Sequence, residues 1–358
     1  MRKNILERHH SLNAHSMLQK IKSELQQTGT ILGGVLIALF LLSILSGILL
    51  SLFYSTQPEE TYQSMITIMG HPVTAFIRNF HFWTADALLF VLFLHMTRVA
   101  LTKPSGRARR YAWWVGLGML IMVGAEMLLG TFMRGDQEAL EAYAHFFIGT
   151  TGIVAAYMPF VTVVTDFFSQ NSALFRFFVF HTIVIPFSIA SLIVLHGLFA
   201  PTFRAMLAPW KKVTGAAIRG QLTPEPGFFS SPSVRKILWL TAIVVAIVAF
   251  LSALLPAPLL STPYAGLEVT KPPWWLLWVV ALENQWGLTP IVIAPPVLFL
   301  LFAIIPLLTK DKPGADLGVY VYLIAIAIVI ALSFWATVAP QVAHTEMFIQ
   351  KQQAMPMQ

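Results

Sequence analysis

The chain has 358 residues, of which 57% are hydrophobic and only 11% charged, with a net charge of +7 and no cysteine. Soluble domains carry about 25% charged residues, so this composition, with a mean hydropathy of +0.72, describes a polytopic membrane protein. Without cysteine, disulfides, thiolate-held iron–sulfur clusters, thioether-linked haem and cysteine nucleophiles are excluded within the chain. In a membrane protein the positive charge speaks to orientation, not to nucleic acid.

Residues 1–28 are polar and basic and lack the apolar core of a cleavable signal peptide. Leu18, Ile21 and Leu25 recur at helical spacing among Lys20, Lys22 and Glu24, which predicts an amphipathic arm on the membrane surface. His9, His10 and His15 read there as solvated side chains. Apolar stretches follow at 31–54, 79–101, 112–133, 177–200, 236–256, 288–309 and 318–339. They predict an all-α fold with seven transmembrane helices. Residues 55–77 read as a polar loop, and 134–175 as a longer connection whose apolar stretch 152–164 is too short to span. The stretch Trp274–Leu282 is also too short. The sixth span holds Pro290, Pro295, Pro296 and Pro306, which predicts kinks. A basic Pro/Gly-containing linker, 201–235, divides a four-helix domain, 29–200, from a three-helix domain, 236–340, and 341–358 is a tail. With the N-terminus inside, 18 of the 23 Lys/Arg fall on inner segments. That bias predicts a cytoplasmic N-terminus in the cell's inner membrane.

The second span carries His81 and His95, 14 residues apart, and the fourth carries His181 and His196, 15 apart. At 3.6 residues per turn, roughly four turns separate the members of each pair, so each pair keeps near one helix face. The rise of 1.5 Å per residue puts them about 21–23 Å apart, most of a hydrocarbon core of about 30 Å. Both helices run outside to inside, so the expected pairings are His81/His181 at the outer level and His95/His196 at the inner. Axial bis-imidazole ligation of two b-type haems in a four-helix bundle is the chemistry that fits. Hydrogen-bonded helix contacts or pore residues are the plainer reading of any one of these histidines.

Gly33 and Gly47 on the first span, and Gly116 and Gly130 on the third, repeat the 14-residue spacing. Each can face a haem where a side chain would obstruct it, or can serve ordinary small-residue helix packing. Arg78, Arg98 and Arg176 flank the histidines, as partners for anionic propionates or as snorkelling interfacial cations. Asp86 and Glu126 lie inside spans. Buried carboxylates there mark proton handling or quinol binding, or else a hydrogen-bonded structural acid. Glu283 is a weaker candidate.

The chain at this point resembles cytochrome b of the Rieske/cytochrome b complexes, over residues 29–340. The segment from Arg78 and His81 to His95 and Arg98 is similar to the family's second helix. The third span with its glycine pair, followed by Gly135, Asp136 and Gln137, resembles the third helix. Arg176, His181 and His196 resemble the fourth. The 15-residue spacing is similar to cytochrome b6, and the last three spans look like subunit IV of the b6f complex, so the chain reads as a fusion of the two.

The resemblance implies a dihaem subunit of a quinol-oxidising oxidoreductase. Electrons would move between quinone sites through two b haems, coupled to proton translocation. The implied partners are a Rieske iron–sulfur protein or c-type cytochrome subunits, quinol and membrane lipid, in a homodimer. Two departures concern the outer quinol site. The family's Pro-Glu-Trp-Tyr is replaced by Pro272, Pro273, Trp274 and Trp275, so its proton-accepting carboxylate is missing. Arg134 and Gly135 stand where the family has Pro-Trp. Glu126 or Asp86 could replace the missing acid, and the altered motif points to a low-potential quinone such as menaquinone. The cysteine that binds an additional haem in cytochrome b6 would fall at Ile31, so no covalent haem is expected. The alternatives are a cytochrome b anchor passing electrons between a dehydrogenase, hydrogenase or multihaem cytochrome c and quinone without bifurcation, and a haem-free transporter with intramembrane histidines.

Overall fold

The computed structural model describes residues 28, 31–102, 107–149, 163, 166–167, 173–199, 232–264, 268–310, 315–340 and 342. The amphipathic arm, almost all of the stretch 152–164, most of the linker and nearly all of the tail lie outside these residues. Among the described residues, seven helices are long and apolar enough to cross a membrane. They are α1 (Ile31–Ser51), α3 (Pro72–Leu101), α4 (Arg107–Phe132), α6 (Ala173–Phe199), α7 (Pro232–Leu254), α9 (Thr289–Leu308) and α10 (Leu317–Val338). Three shorter helices lie between them: α2 (Pro58–Gly70), α5 (Gln137–Tyr143) and α8 (Leu277–Trp286).

Several helices start before the apolar windows do. Hydropathy reads the hydrocarbon core, whereas helices continue into the interface until a cap or proline stops them. The expected polar loop 55–77 is instead helical. Pro58 and Pro72 stand at the starts of α2 and α3, Glu59 and Glu60 occupy the first turn of α2, and Thr61, Met65 and Ile68 form its buried face. Likewise α7 begins at Pro232, so the last residues of the expected linker belong to the helix. The prolines in α9 are accommodated within one continuous helix.

Helices α1, α3, α4 and α6 surround the four histidines. The C-terminal helices close one flank: α7 packs on α3, and α8, α9 and α10 pack together and meet α3 and α4. This seam is apolar with a few buried hydrogen bonds. Tyr322, Phe302 and Ile305 are fully buried. Trp113 Nε1 donates to the Phe302 carbonyl at 2.8 Å, and Thr97 Oγ1 pairs with the Tyr322 hydroxyl at 2.6 Å. Many large apolar side chains point outward, among them Phe187, Trp239 and Phe334, as a lipid-facing surface requires.

Candidate functional site

The structure brings the four histidines into two pairs. His81 and His181 have ring centres 6.1 Å apart, and His95 and His196 6.4 Å apart. Two imidazole nitrogens each about 2.0 Å from a shared metal, with about 1.1 Å from nitrogen to ring centre, put ring centres roughly 6.2 Å apart. Both observed separations match, so the residues present fit axial ligation of one metal-centred group per pair.

The extra residue in the second spacing is absorbed by the helix. Phe180–Val184, which includes His181, forms a π-helical turn within α6. Ile185 N–H donates to the Phe180 carbonyl, five residues back, and Pro186 follows with no N–H to give. A wide turn consumes one more residue than an α-turn, so 15 residues in α6 keep the register that 14 keep in α3.

Each glycine lies against one imidazole. A Cβ on Gly47 would stand 3.1 Å from His81 Cε1, on Gly130 3.1 Å from His181 Cε1, on Gly116 3.4 Å from His196 Cε1, and on Gly33 4.0 Å from His95 Cε1. The missing side chains let each ring press onto the neighbouring helix and address its backbone. His81 Nδ1 lies 3.0 Å from the Ser43 carbonyl and 3.0 Å from Ser46 Oγ. His181 Nδ1 lies 3.0 Å from the Glu126 carbonyl. Ser43 and Glu126 each stand four residues before the facing glycine. His196 turns toward the equivalent carbonyl, Ala112, without closing a full hydrogen bond. For His95 the equivalent position, 29, lies outside the described residues. This is the orientation that leaves Nε2 for a ligand.

The comparisons with known proteins bear on this arrangement. The family model described as "Cytochrome b/b6/petB" matches residues 18–203, just over half the chain. The chain belongs to the cytochrome b/b6 family. Cytochrome b6 of Prochlorococcus marinus (strain AS9601) is 28% identical over 177 residues, covering 47% of this chain and 78% of that protein. Cytochrome b6 of Prochlorococcus marinus (strain MIT 9211) shows the same values. A solved structure titled "Hyperthermophilic respiratory Complex III" shares the fold, with a TM-score of 0.53 at 18% identity, over 91% of this chain and 92% of that one. The fold likeness thus extends through the C-terminal helices, beyond the b6 match.

The other expected site residues are placed as follows. Glu126 sits beside the His81/His181 pair, Oε1 lying 3.3 Å from His181 Nδ1. Asp86 accepts a hydrogen bond from Trp274 Nε1 at 3.1 Å. Trp275 packs toward Gly124, where a Cβ would stand 3.9 Å from its ring. Its Nε1 is buried with no hydrogen-bond partner. The Pro272–Trp275 segment therefore docks across α3 and α4, at the level of both intramembrane acids. Arg78 is buried and clamps the loop after α7, donating to the carbonyls of Ala257 at 2.8 Å and Pro258 at 2.6 Å. Arg176 donates to the Phe167 carbonyl and stacks over the Phe167 ring. Arg98 lies about half-buried in the last turn of α3.

Sequence reasoning missed a polar layer built from α5, residues 255–264 and 268–276, and α8. Asp136 caps α5 through Ala139 N–H and accepts from Leu260 N–H. Gln137 accepts from Tyr264 N–H. Glu141 accepts from Val269 N–H, Thr270 N–H and Thr270 Oγ1. Arg134 reaches Glu138 at 2.6 Å. Gly135 makes the turn into α5 at φ +64°, and a Cβ there would stand 2.8 Å from Thr61 Cγ2, which explains the absence of a side chain at this position. His145 lies 3.0 Å from Glu268 and 3.1 Å from Glu283. Burial opposes charge on this ring, but its bonds to both carboxylates outweigh burial and push its pKa up to about 10. The acids Glu138 and Glu141 in the connection after α4 were the available signal. Arg134 stands only four residues from Glu138, but the loop partners of Glu141 lie more than a hundred residues away, beyond what local pattern reveals.

Proposed function

We propose that this chain is the dihaem cytochrome b subunit of a quinol-oxidising membrane complex. It would carry electrons between an outer and an inner quinone site, coupled to proton translocation. The observation that carries the reading is the pair of imidazole couples with centres 6.1 and 6.4 Å apart, each ring seated on a glycine. His81 and His181 hold the outer group, and His95 and His196 the inner one. Haem b supplies one-electron transfer through its iron. The chain's own part is to fix ring orientation through the Ser43 and Glu126 carbonyls, to exclude water with apolar helices, and to neutralise propionates with Arg78, Arg98 and Arg176.

At the outer site, Pro272–Trp275 forms the wall of the quinol pocket, with the buried Trp275 N–H as a donor to a quinol oxygen. Glu126 and Asp86 take the protons in place of the missing Glu. The membrane is the cell's inner membrane with the N-terminus cytoplasmic, and the complex is a homodimer. Its quinone is of low potential, such as menaquinone, and its electron acceptor is a Rieske protein or c-type cytochrome subunit.

A pyridine haemochrome assay with redox titration of the purified protein tests the core of this reading. Two b haems per chain with separate midpoints are expected; none or one would overturn it. Loss of quinol oxidation in Glu126→Gln, with both haems retained, supports the proton role, and unchanged activity removes Glu126 from it. Pro273 in place of the acid favours one second reading, a cytochrome b anchor that feeds quinone from a dehydrogenase or multihaem cytochrome c without bifurcation. Co-purification of such a partner, with no Rieske protein or c-type cytochrome acceptor subunit, would establish it.

A further inference from the structure

We propose that His145, Glu268 and Glu283 form a binding site for a divalent transition-metal ion of the zinc class, separate from the four-histidine bundle. The three residues come from three segments: the π-helical turn Ala144–Gly149 after α5, the loop before Pro272, and α8. One ligand atom from each lies within 4.8 Å of the others. The side chains are 15%, 2% and 5% exposed.

Three features distinguish this cluster from an ordinary ion pair. The first is that both carboxylates address the same imidazole atom. Nε2 stands 3.0 Å from Glu268 Oε1 and 3.1 Å from Glu283 Oε1. One N–H proton cannot make two full hydrogen bonds, whereas a cation accepts all three groups together. A metal about 2.0–2.1 Å from each atom would see Nε2 and either oxygen at roughly 95°, between octahedral and tetrahedral angles.

The second feature is the other ring nitrogen. His145 Nδ1 lies 2.7 Å from the Glu141 backbone carbonyl, the supporting bond that fixes a metal-ligating histidine with Nε2 forward. The third is charge. The Glu268 and Glu283 carboxylates meet at one imidazole atom, and the Glu141 carboxylate is held close by on backbone and hydroxyl donors. Among the described residues, Lys271 binds the carbonyls of Ala336, Thr337 and Ala339, Arg134 binds Glu138, and Arg78 binds the 257–258 carbonyls. Two buried carboxylates brought to one point repel each other, and a divalent ion between them would offset that repulsion. One imidazole and two carboxylates form a mixed N/O donor set that zinc accepts, with a further position left for water. Bound there, the ion would tie three segments together.

The test uses the full-length protein in detergent, purified with its haem, in which His9, His10 and His15 are replaced by Asn so that the arm cannot bind metal. After chelator treatment, ZnCl2 titration by calorimetry and metal analysis should give one tight Zn2+ per chain. Glu283→Gln and His145→Gln should each weaken binding by more than the roughly 10–100-fold that loss of a supporting group costs, with the haem spectrum unchanged. Should either variant fail to fold, Co2+ in the parent protein decides: a d–d absorption band with hyperfine coupling to a single imidazole nitrogen is expected. No stoichiometric Zn2+, equal binding by parent and variants, or Co2+ without nitrogen coupling would overturn the site and leave a proton-shared ion pair.

Discussion

In the helical bundle each imidazole rests on a glycine of a neighbouring helix, and the ring pairs face one another across the bundle. In the polar layer around α5, His145 also sets Nδ1 on a backbone carbonyl, but its Nε2 faces carboxylates from a loop and a short helix. The bundle solves burial with helix periodicity and backbone carbonyls, so its polar demand is small and local. The polar layer solves it with long-range hydrogen bonds from acids to loop amides. The bundle should therefore tolerate little change in steric fit but much change in charge nearby, and the polar layer the reverse.

The largest effect expected is loss of a ligand. His196→Leu should reduce the haem count from two per chain to one, read by haemochrome, with the outer midpoint preserved. Next come the glycines, where the four sites rank themselves. Gly47→Ala and Gly130→Ala place a methyl 3.1 Å from an imidazole carbon and should cost about 1–3 kcal/mol in overpacking, with loss or a shifted midpoint of the outer haem. Gly116→Ala, at 3.4 Å, should be milder, and Gly33→Ala, at 4.0 Å, close to neutral. Equal effects at all four would show that the glycines serve helix packing rather than ring seating.

In the polar layer Glu141→Gln keeps the shape but loses charge-assisted bonds to Val269 and Thr270. A cost of about 1.5–3 kcal/mol is expected, seen as a lower thermal midpoint with haem content unchanged. Chelation should act on the same layer: stripping an ion held at 100-fold its dissociation constant removes about 2.7 kcal/mol. The smallest effect concerns the π-helical turn. Deleting Val184 together with Pro186→Ala shortens the second spacing to 14, and both haems should remain, because the turn only absorbs the extra residue. Loss of the outer haem in that protein would give the turn a role of its own.

The division between legible and hidden features follows range in sequence. The spans, and which histidines and glycines would be neighbours, were readable, because each rests on helix periodicity within one segment. The surroundings of Arg78 were not foreseen: its position beside His81 suggested a propionate partner, and the structure places it on the carbonyls after α7. The segment 55–77 was misread because its helix α2 is amphipathic and short, and hydropathy sees only the long apolar windows. Asp86 and Trp274 were each singled out, but their contact was not foreseen.

The sequence by itself determined the all-α membrane fold and the four-histidine constellation, since burial in lipid forces backbone bonds inside helices and leaves side-chain spacing as the signal. Only the tertiary structure decided that a wide turn equalises the two spacings, that glycines seat imidazoles, and that His145, Glu268 and Glu283 converge. Those outcomes depend on how separate segments pack, where no local period constrains which residues meet.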